Sequence, residues 1–221
     1  MHEPAILILA AGASSRMRGG DKLMEMVGSA PQIARITRAA IATGAAVTVV
    51  LPPGQPQRRA ALAGCRARVV VATEAGDGMA ASLRAGLASL PADLPVMLLL
   101  ADLPEITAED LRQMLAAWRV TPQLILRAKD ADDAPGHPVC FPVWARPDLE
   151  ELSGDQGARA VLLRHAGRVR MFALPDHHAT TDLDTPEDWL AWRAGQGAEP
   201  PAAAGPRARV RRPSAPAPRS L

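Results

Sequence analysis

Short apolar runs alternate with segments of helical spacing along the first 128 residues of the chain. Five runs have the length and composition of buried strands, and they lie at residues 5–10, 46–51, 68–72, 96–101 and 123–128. Four segments with helical features lie between them, at residues 31–42, 58–63 and 78–90 and from Thr107 onward. This alternation predicts an α/β fold, a Rossmann-like three-layer α/β/α arrangement with a mostly parallel sheet.

The alternation of predicted strands and helices becomes less regular after residue 128. Residues 130–138 are polar and contain proline and glycine, which is typical of a loop. Two helices near 145–152 and 155–165, a strand at 168–174 and a last helix beginning at Pro186 complete the predicted elements. From Gly195 onward the chain has almost no large apolar side chain, so it cannot offset the entropy lost on ordering. We therefore predict one domain over residues 1–194 and a disordered tail over 195–221.

Composition bounds the class of protein. Hydrophobic residues make up 48% of the 221 residues, which excludes wholesale disorder. No apolar run approaches the roughly 20 residues that span a bilayer, and no basic segment precedes the short apolar run at 5–11, which excludes a signal peptide. The two cysteines, Cys65 and Cys140, are far apart and have no set of metal-ligating neighbours. We therefore expect a cytoplasmic protein without a membrane partner.

The positive charge of the chain is concentrated in its tail. Five arginines and no acidic residue follow Glu199, so the body of the protein is slightly acidic. Aromatic residues make up only 3% of the chain, which leaves few platforms for stacking bases. Both observations argue against a nucleic-acid-binding protein.

A loop of small residues follows the first predicted strand, at positions 9–22. Small residues let backbone amides approach phosphate oxygens closely, and Arg16 and Lys22 supply cations for the same phosphates. The segment matches neither the dinucleotide fingerprint nor the P-loop. Its position after a strand of a parallel sheet predicts a phosphate-binding loop, and the alternative is a flexible loop that happens to be basic.

A single carboxylate, Asp102, ends the most apolar predicted strand. At that position it faces the same crevice as the 9–22 loop. One carboxylate together with substrate phosphates is a typical environment for Mg²⁺. The alternative is an N-cap for the next helix, a role for which Thr107 is better placed.

Two further carboxylates, Asp182 and Asp184, alternate along an extended segment and so share one face. For Asp184 a metal ligand and an N-cap of the last helix remain equal alternatives. Glu187 and Asp188 fit the positive end of that helix. The exposed pair His177 and His178 lacks a convincingly spaced third metal ligand.

Six segments, in this order, resemble the nucleotidyltransferase superfamily, and within it the molybdenum cofactor cytidylyltransferases and their guanylyl relatives. They are LAAGASSRM…DK at 9–22, GMAASLRAGL at 78–87, LLLADLP at 98–104, GHPVCF at 136–141, GDQGAR at 154–159 and DLDTPED at 182–188. The resemblance implies a fold of the nucleotide-diphospho-sugar transferase type. It also implies transfer of a nucleoside monophosphate to a phosphate acceptor, with release of pyrophosphate.

The resemblance assigns roles by position. The backbone of Ala10, Ala11 and Gly12 would contact the nucleotide, with Gly78 and Ser82 near the base. Arg16 and Lys22 would hold the triphosphate, while Asp102 and Asp184 would bind Mg²⁺. His137 and the 154–159 loop would line the acceptor side.

For the most similar members the acceptor is the terminal phosphate of molybdopterin carrying molybdenum. Ala11 and the GMAAS segment favour CTP over GTP. The alternatives are a guanylyltransferase of the same cofactor, a sugar or alditol phosphate as acceptor, and a chaperone that holds molybdopterin without turnover. A transient contact with a molybdoenzyme or its chaperone is expected.

Overall fold

Seven strands form one central sheet in the computed structural model, which describes residues 2–196. The described residues form nine strands in all, which are β1 (Ala5–Leu9), β2 (Met26–Val27), β3 (Ala30–Pro31), β4 (Val47–Leu51), β5 (Arg68–Val71), β6 (Val96–Leu100), β7 (Ile125–Lys129), β8 (Pro135–Phe141) and β9 (Val169–Ala173). Their order in the sheet is β5-β4-β1-β6-β8-β7-β9, and β2 and β3 form a separate hairpin. The central strands β1 and β4 are almost entirely buried, as their continuous apolar runs predict.

The sheet is mostly parallel. Strand β1 runs parallel to β4 and β6, β4 to β5, and β7 to β9, whereas β8 is antiparallel to both of its neighbours. The predicted fold class is therefore confirmed. The parallel strands end at one edge of the sheet, where ligands bind in open α/β folds.

Helices cover both faces of the sheet. They are α1 (Gln32–Ile41), α2 (Pro56–Ala61), α3 (Met79–Ala88), α4 (Ala108–Val120), α5 (Arg146–Glu150), α6 (Arg159–Arg164) and α7 (Pro186–Gln196). Apolar residues of α1 and α4 pack on one face, and those of α3, α5 and α6 pack on the other. Thr107 caps α4 in a reciprocal capping box with Asp110, as the sequence predicts.

The prediction of a loop over residues 130–138 is wrong in its second half, because β8 begins at Pro135. Prolines are rare in central strands since they cannot donate to the ladder. Here the pairing with β7 shifts register between Arg127 and Lys129, and the pairing with β6 begins only at Val139. Pro135 and Pro138 thus lie in the part of β8 where the hydrogen-bonded pairing with its neighbours is irregular or has not yet begun.

No helix within residues 2–196 is long and apolar enough to cross a membrane. Helix α6 begins at Arg159, later than the sequence suggests, and α7 continues to Gln196. The remainder of the predicted tail, residues 197–221, lies outside the described part of the chain.

Candidate functional site

A cavity of about 580 Å³ opens at the carboxyl ends of β1 and β6. These strands are neighbours, with Leu9 paired to Leu100, so the loops that follow them face each other. The cavity is lined by the 11–16 loop, the turn before α3, Lys22, Ser82 and four aspartates, which are Asp102, Asp155, Asp182 and Asp184. Its position is the one expected for a ligand site in a mostly parallel sheet.

Most of the residues predicted for the site line this cavity. They are Ala11, Gly12, Arg16, Lys22, Gly78, Ser82, Asp102 and Asp184. Ala10 lies behind the cavity, where its amide donates to the Val50 carbonyl and its own carbonyl accepts from Arg58. His137 lies on β8 and is not part of the cavity lining.

Lys22 is surrounded by three carboxylates. Its Nζ lies 2.6 Å from Asp102 Oδ2, 2.7 Å from Asp184 Oδ1 and 3.3 Å from Asp182 Oδ1. Burial by itself lowers the pKa of Lys22, but the charge and hydrogen bonds of these aspartates outweigh burial and raise the pKa above its ordinary value. Lys22 is therefore a permanent cation. Arg16 reaches the same cluster, with Nη1 2.5 Å from Asp184 Oδ2.

The cluster nevertheless retains an excess of negative charge. Burial and the charges of Asp102 and Asp184 raise the pKa of Asp182 to about 6, although Lys22 opposes this shift. Asp102 Oδ1 is buried and has no hydrogen-bond partner among the described residues. A buried carboxylate oxygen without a donor is costly unless a ligand satisfies it. The arrangement therefore fits a divalent cation.

Such a cation would need ligands from outside the protein. Within residues 2–196 no group of three His, Cys, Asp or Glu side chains is arranged to hold a metal ion alone. Asp102 and Asp184 could supply two carboxylates, and phosphate oxygens or water would complete the coordination, as is common for Mg²⁺.

The turn before α3 also lines the cavity. Gly78 adopts φ +99°, and a Cβ there would overlap the carbonyl group of Gly154. The amide of Ala80 donates to the same carbonyl at 3.1 Å. The turn before α3 and the 154–159 loop, both predicted as site segments, are thus in direct contact.

The segment that carries Asp182 and Asp184 is fixed to the body by polar contacts. His178 Nδ1 lies 2.9 Å from Asp110 Oδ2, and Thr180 Oγ1 donates to Asp130 Oδ2 at 2.7 Å. Both acceptors are buried. His177 is largely exposed, as predicted, whereas His178 is mostly covered because it bonds Asp110.

Helix α7 is capped by Thr185 and not by Asp184. The amide of Asp188 donates to Thr185 Oγ1, and Asp188 Oδ2 accepts from the amides of Asp184 and Thr185. The N-cap alternative for Asp184 is therefore wrong, and its carboxylate points instead to Lys22 and Arg16.

His137 is held close to this cluster by β8. Its amide donates to the Ala179 carbonyl. Burial and the charge of Arg127 together lower the pKa of His137 to about 4, although the charge of Asp102 opposes the shift. The imidazole is neutral at physiological pH.

Asp155, which lines the cavity, belongs to the predicted 154–159 loop. Arg58, which lies beneath the 9–22 loop, was not predicted from the sequence. Arg58 and Arg59 look equivalent in the sequence, and the phase of a six-residue helix is too short a signal to tell which one is buried.

Comparisons with known proteins agree with this geometry. A family model described as the MobA-like NTP transferase domain matches residues 6–169. A search of curated protein sequences gives no significant match. The crystal structure of Rv0371c from Mycobacterium tuberculosis H37Rv is similar, with a TM-score of 0.71 and 28% identity over 86% of this chain and 98% of that one.

Two other solved structures extend the comparison. A structure of Rv0371c in complex with manganese gives a TM-score of 0.69 and 26% identity, covering 86% of this chain and 97% of that one. The structure of CMP:2-keto-3-deoxy-manno-octonic acid synthetase in complex with CTP gives a TM-score of 0.67 and 16% identity. The match covers 88% of this chain and 98% of that one. At that identity it shows a shared fold alone, which confirms the nucleotide-diphospho-sugar transferase type. Together with the match over residues 6–169, these similarities show that the chain belongs to the MobA-like NTP transferase family.

Proposed function

We propose that the protein is a Mg²⁺-dependent nucleotidyltransferase that moves CMP from CTP to the terminal phosphate of Mo-molybdopterin. An acceptor phosphate oxygen attacks the α-phosphorus of CTP, the bond from that phosphorus to the bridging oxygen breaks, and pyrophosphate leaves. The acceptor phosphate is already ionised at neutral pH, so the step requires positioning and charge neutralisation more than a proton-transfer residue.

The observation that carries the proposal is the cluster around Lys22. It combines two cations suited to phosphates with carboxylates suited to a metal, and Asp102 Oδ1 lacks a hydrogen-bond donor. A protein that only bound the cofactor would have no use for this partly buried carboxylate pair.

Each residue of the cluster has a distinct role in the proposed reaction. Lys22 and Arg16 turn from the aspartates to the triphosphate and neutralise the charge of the leaving pyrophosphate. Asp102 and Asp184 would hold the divalent cation, which when bound would polarise phosphate oxygens. The amides of the 11–13 segment, whose residues line the cavity, orient the nucleotide. The similar protein Rv0371c has been solved in complex with manganese, which supports the use of a divalent cation.

Ala11 and the 78–82 segment favour CTP as the nucleotide, since guanylyl members of the family resemble Leu-Ala-Gly-Gly at 9–12. His137 and the 154–159 loop are proposed for the acceptor side. The hydrogen bond from the Ala80 amide to the Gly154 carbonyl, which joins that loop to the 78–82 segment, supports this proposal. The reaction is proposed to occur in the cytoplasm, with transfer of the product to a molybdoenzyme or its chaperone.

The test is pyrophosphate release by the purified protein with Mg²⁺ and Mo-molybdopterin, using CTP, GTP, ATP and UTP separately. Release with CTP alone is expected. Release with GTP alone would move the protein to the guanylyl branch. Cofactor binding without release with any nucleotide would indicate a holding chaperone, and neither binding nor release would direct the search to sugar or alditol phosphates.

A matched pair of variants controls for the site. Asp102→Asn removes a carboxylate that lines the cavity. Asp148→Asn removes a carboxylate that lies outside the cavity lining and that also pairs with two basic side chains, those of Arg164 and His165. Asp102→Asn should abolish release and Asp148→Asn should retain it. Equal activity in both variants would contradict the proposed site.

A further inference from the structure

A buried arginine lies directly beneath the 9–22 loop. Arg58, on the short helix α2, has only 1% of its side chain exposed. A guanidinium remains charged in this environment, so its burial requires a full set of acceptors. The acceptors that it finds all belong to the 9–22 loop.

The guanidinium of Arg58 bonds three separate points of this loop. Its Nε and Nη2 donate to the two carboxylate oxygens of Asp21 at 2.7 and 2.8 Å. Its Nη1 donates to the Ala10 carbonyl at 2.7 Å, and Nη2 also contacts Ser14 Oγ at 3.2 Å. One side chain thus joins the end of β1, the middle of the loop and the residue before Lys22.

Asp21 transmits this contact to Lys22. Its Oδ1 accepts from the amide of Leu23 at 3.0 Å and from Ser14 Oγ at 3.2 Å, which caps the short turn that carries Lys22. The amide of Lys22 lies 3.3 Å from Ser14 Oγ. Burial alone raises the pKa of Asp21, but the hydrogen bonds and charge of Arg58 outweigh it and hold the pKa below its usual range. The Arg58–Asp21 pair is therefore ionised at neutral pH.

The conformation of the loop depends on these bonds. Ser14 adopts a left-handed backbone, φ 51°, which is unfavourable for a residue with a side chain. The Ala10 carbonyl is directed back to Arg58, while the next three residues, 11–13, line the cavity. Without Arg58, the loop would lose the contacts that offset this unfavourable geometry.

We infer that Arg58 is a positioning residue for nucleotide binding, which holds the phosphate-binding loop and Lys22 in their binding geometry from behind. It does not line the cavity and so acts through Ala10, Ser14 and Asp21. The inference rests on the proposed function, because it assigns a role to Arg58 in binding the triphosphate.

The chain offers a matched control in a second buried arginine. Arg146 is 3% exposed and also donates to backbone carbonyls, among them those of Pro91, Leu94 and Leu87. Arg146→Lys should therefore disturb packing about as much as Arg58→Lys, but away from the loop.

The experiment measures nucleotide binding by calorimetry with Mg²⁺ and CTP and no acceptor, followed by steady-state pyrophosphate release. Arg58→Lys should weaken nucleotide binding and raise the KM for CTP by about tenfold or more, because a lysine cannot reproduce the forked contact. The KM for the acceptor should stay near that of the wild type. Arg146→Lys should leave both KM values unchanged.

Equal nucleotide affinity in Arg58→Lys and wild type would overturn the inference and leave the proposed function standing. Wild-type protein that binds none of CTP, GTP, ATP and UTP would overturn the proposed function and this inference with it. If Arg58→Lys does not fold, Asp21→Asn removes the charged partner of Arg58 at a residue that, like Arg58, lies outside the cavity lining. That variant should still raise the KM for CTP severalfold, and an unchanged KM would again overturn the inference.

Discussion

The ammonium of Lys22 lies 2.6 Å from a carboxylate oxygen of Asp102. Lys22 is proposed to bind the phosphates and Asp102 is proposed to bind the metal. The charges of the two residues therefore neutralise each other when neither ligand is bound. In the proposed reaction, binding of a metal–nucleotide complex would separate this pair, since the divalent cation would take the place of Lys22 beside the aspartates. Lys22 and the metal would thus compete for the same oxygens until the triphosphate binds.

This competition predicts opposite effects of one substitution. Lys22→Met should strengthen Mn²⁺ binding in the absence of nucleotide by about tenfold, because it removes a charge adjacent to three carboxylates. It should also reduce turnover by at least about a hundredfold, since the triphosphate loses its main cation. Titration of Mn²⁺ by electron paramagnetic resonance checks the first effect, and pyrophosphate release checks the second.

The second lysine of the chain is the control for that experiment. Lys129 also pairs with an aspartate, Asp133, but it lies outside the cavity lining. Lys129→Met should alter neither metal binding nor turnover. Weaker Mn²⁺ binding in Lys22→Met than in wild type would show that the aspartates do not form the metal site.

The two aspartates of the 182–184 segment should differ in importance. Asp184 contacts both Lys22 and Arg16 and is mostly covered, whereas Asp182 makes one longer contact with Lys22 and is nearly half exposed. Asp184→Asn should therefore lower turnover by about a hundredfold and weaken Mn²⁺ binding, while Asp182→Asn should cost less than about tenfold. The reverse order in pyrophosphate release would assign Asp182 as the metal ligand.

Two glycines on either side of Asp77 provide a test of the α3 turn. A methyl group at Gly78 would overlap the Gly154 carbonyl, and its φ of +99° disfavours any side chain, whereas Gly76 has open space around the corresponding position. Gly78→Ala should raise the KM for the nucleotide and lower the melting temperature by several degrees. Gly76→Ala should change both values little. Similar melting temperatures for the two variants would contradict the close contact between Gly78 and Gly154.

His137 predicts a dependence of stability on pH. Its pKa is about 4 in the folded protein, below the ordinary value of 6.5, so the unfolded chain binds more protons between these values. The contribution of His137 to stability is therefore complete above pH 6.5 and is lost as the pH falls toward 4. His137→Gln should flatten the rise in melting temperature between pH 5 and 6.5.

Nuclear magnetic resonance tests the same group directly. The imidazole signals of His137 should not titrate between pH 8 and 5. A midpoint for His137 near 6.5 would contradict its burial.

Periodicity and motif position predicted most of the fold and most of the cavity. The strands that precede the 9–22 loop and Asp102 are continuous apolar runs, so their ends could be located in the sequence, and parallel pairing then places both ends at one edge. Strand β8 was missed because its prolines are typical of loops, and only the register shift opposite them makes a strand possible.

Contacts between segments that are distant in the sequence could not be predicted from the sequence. Asp184 was equally suited to capping α7 or binding a metal, and the outcome depends on the capping of α7 by Thr185. No feature of the sequence indicates that Arg58 contacts the 9–22 loop, because its partners depend on how α2 packs under that loop. Membership of the nucleotidyltransferase family was predicted and is confirmed, whereas the nucleotide and the acceptor remain proposals.

The 162 positions that separate Lys22 from Asp184 also have a consequence for synthesis. A ribosome delivers the phosphate-binding loop early, and the strands around it can begin to associate while the rest of the chain is still being made. Of the residues that line the cavity, the carboxylates of the 182–184 segment emerge last, and they must close a very long loop before they meet Lys22. A nascent or prematurely terminated chain therefore holds the phosphate-binding loop without Asp184, the second proposed metal ligand, and on the proposed function it should not consume nucleotide before translation has passed this segment.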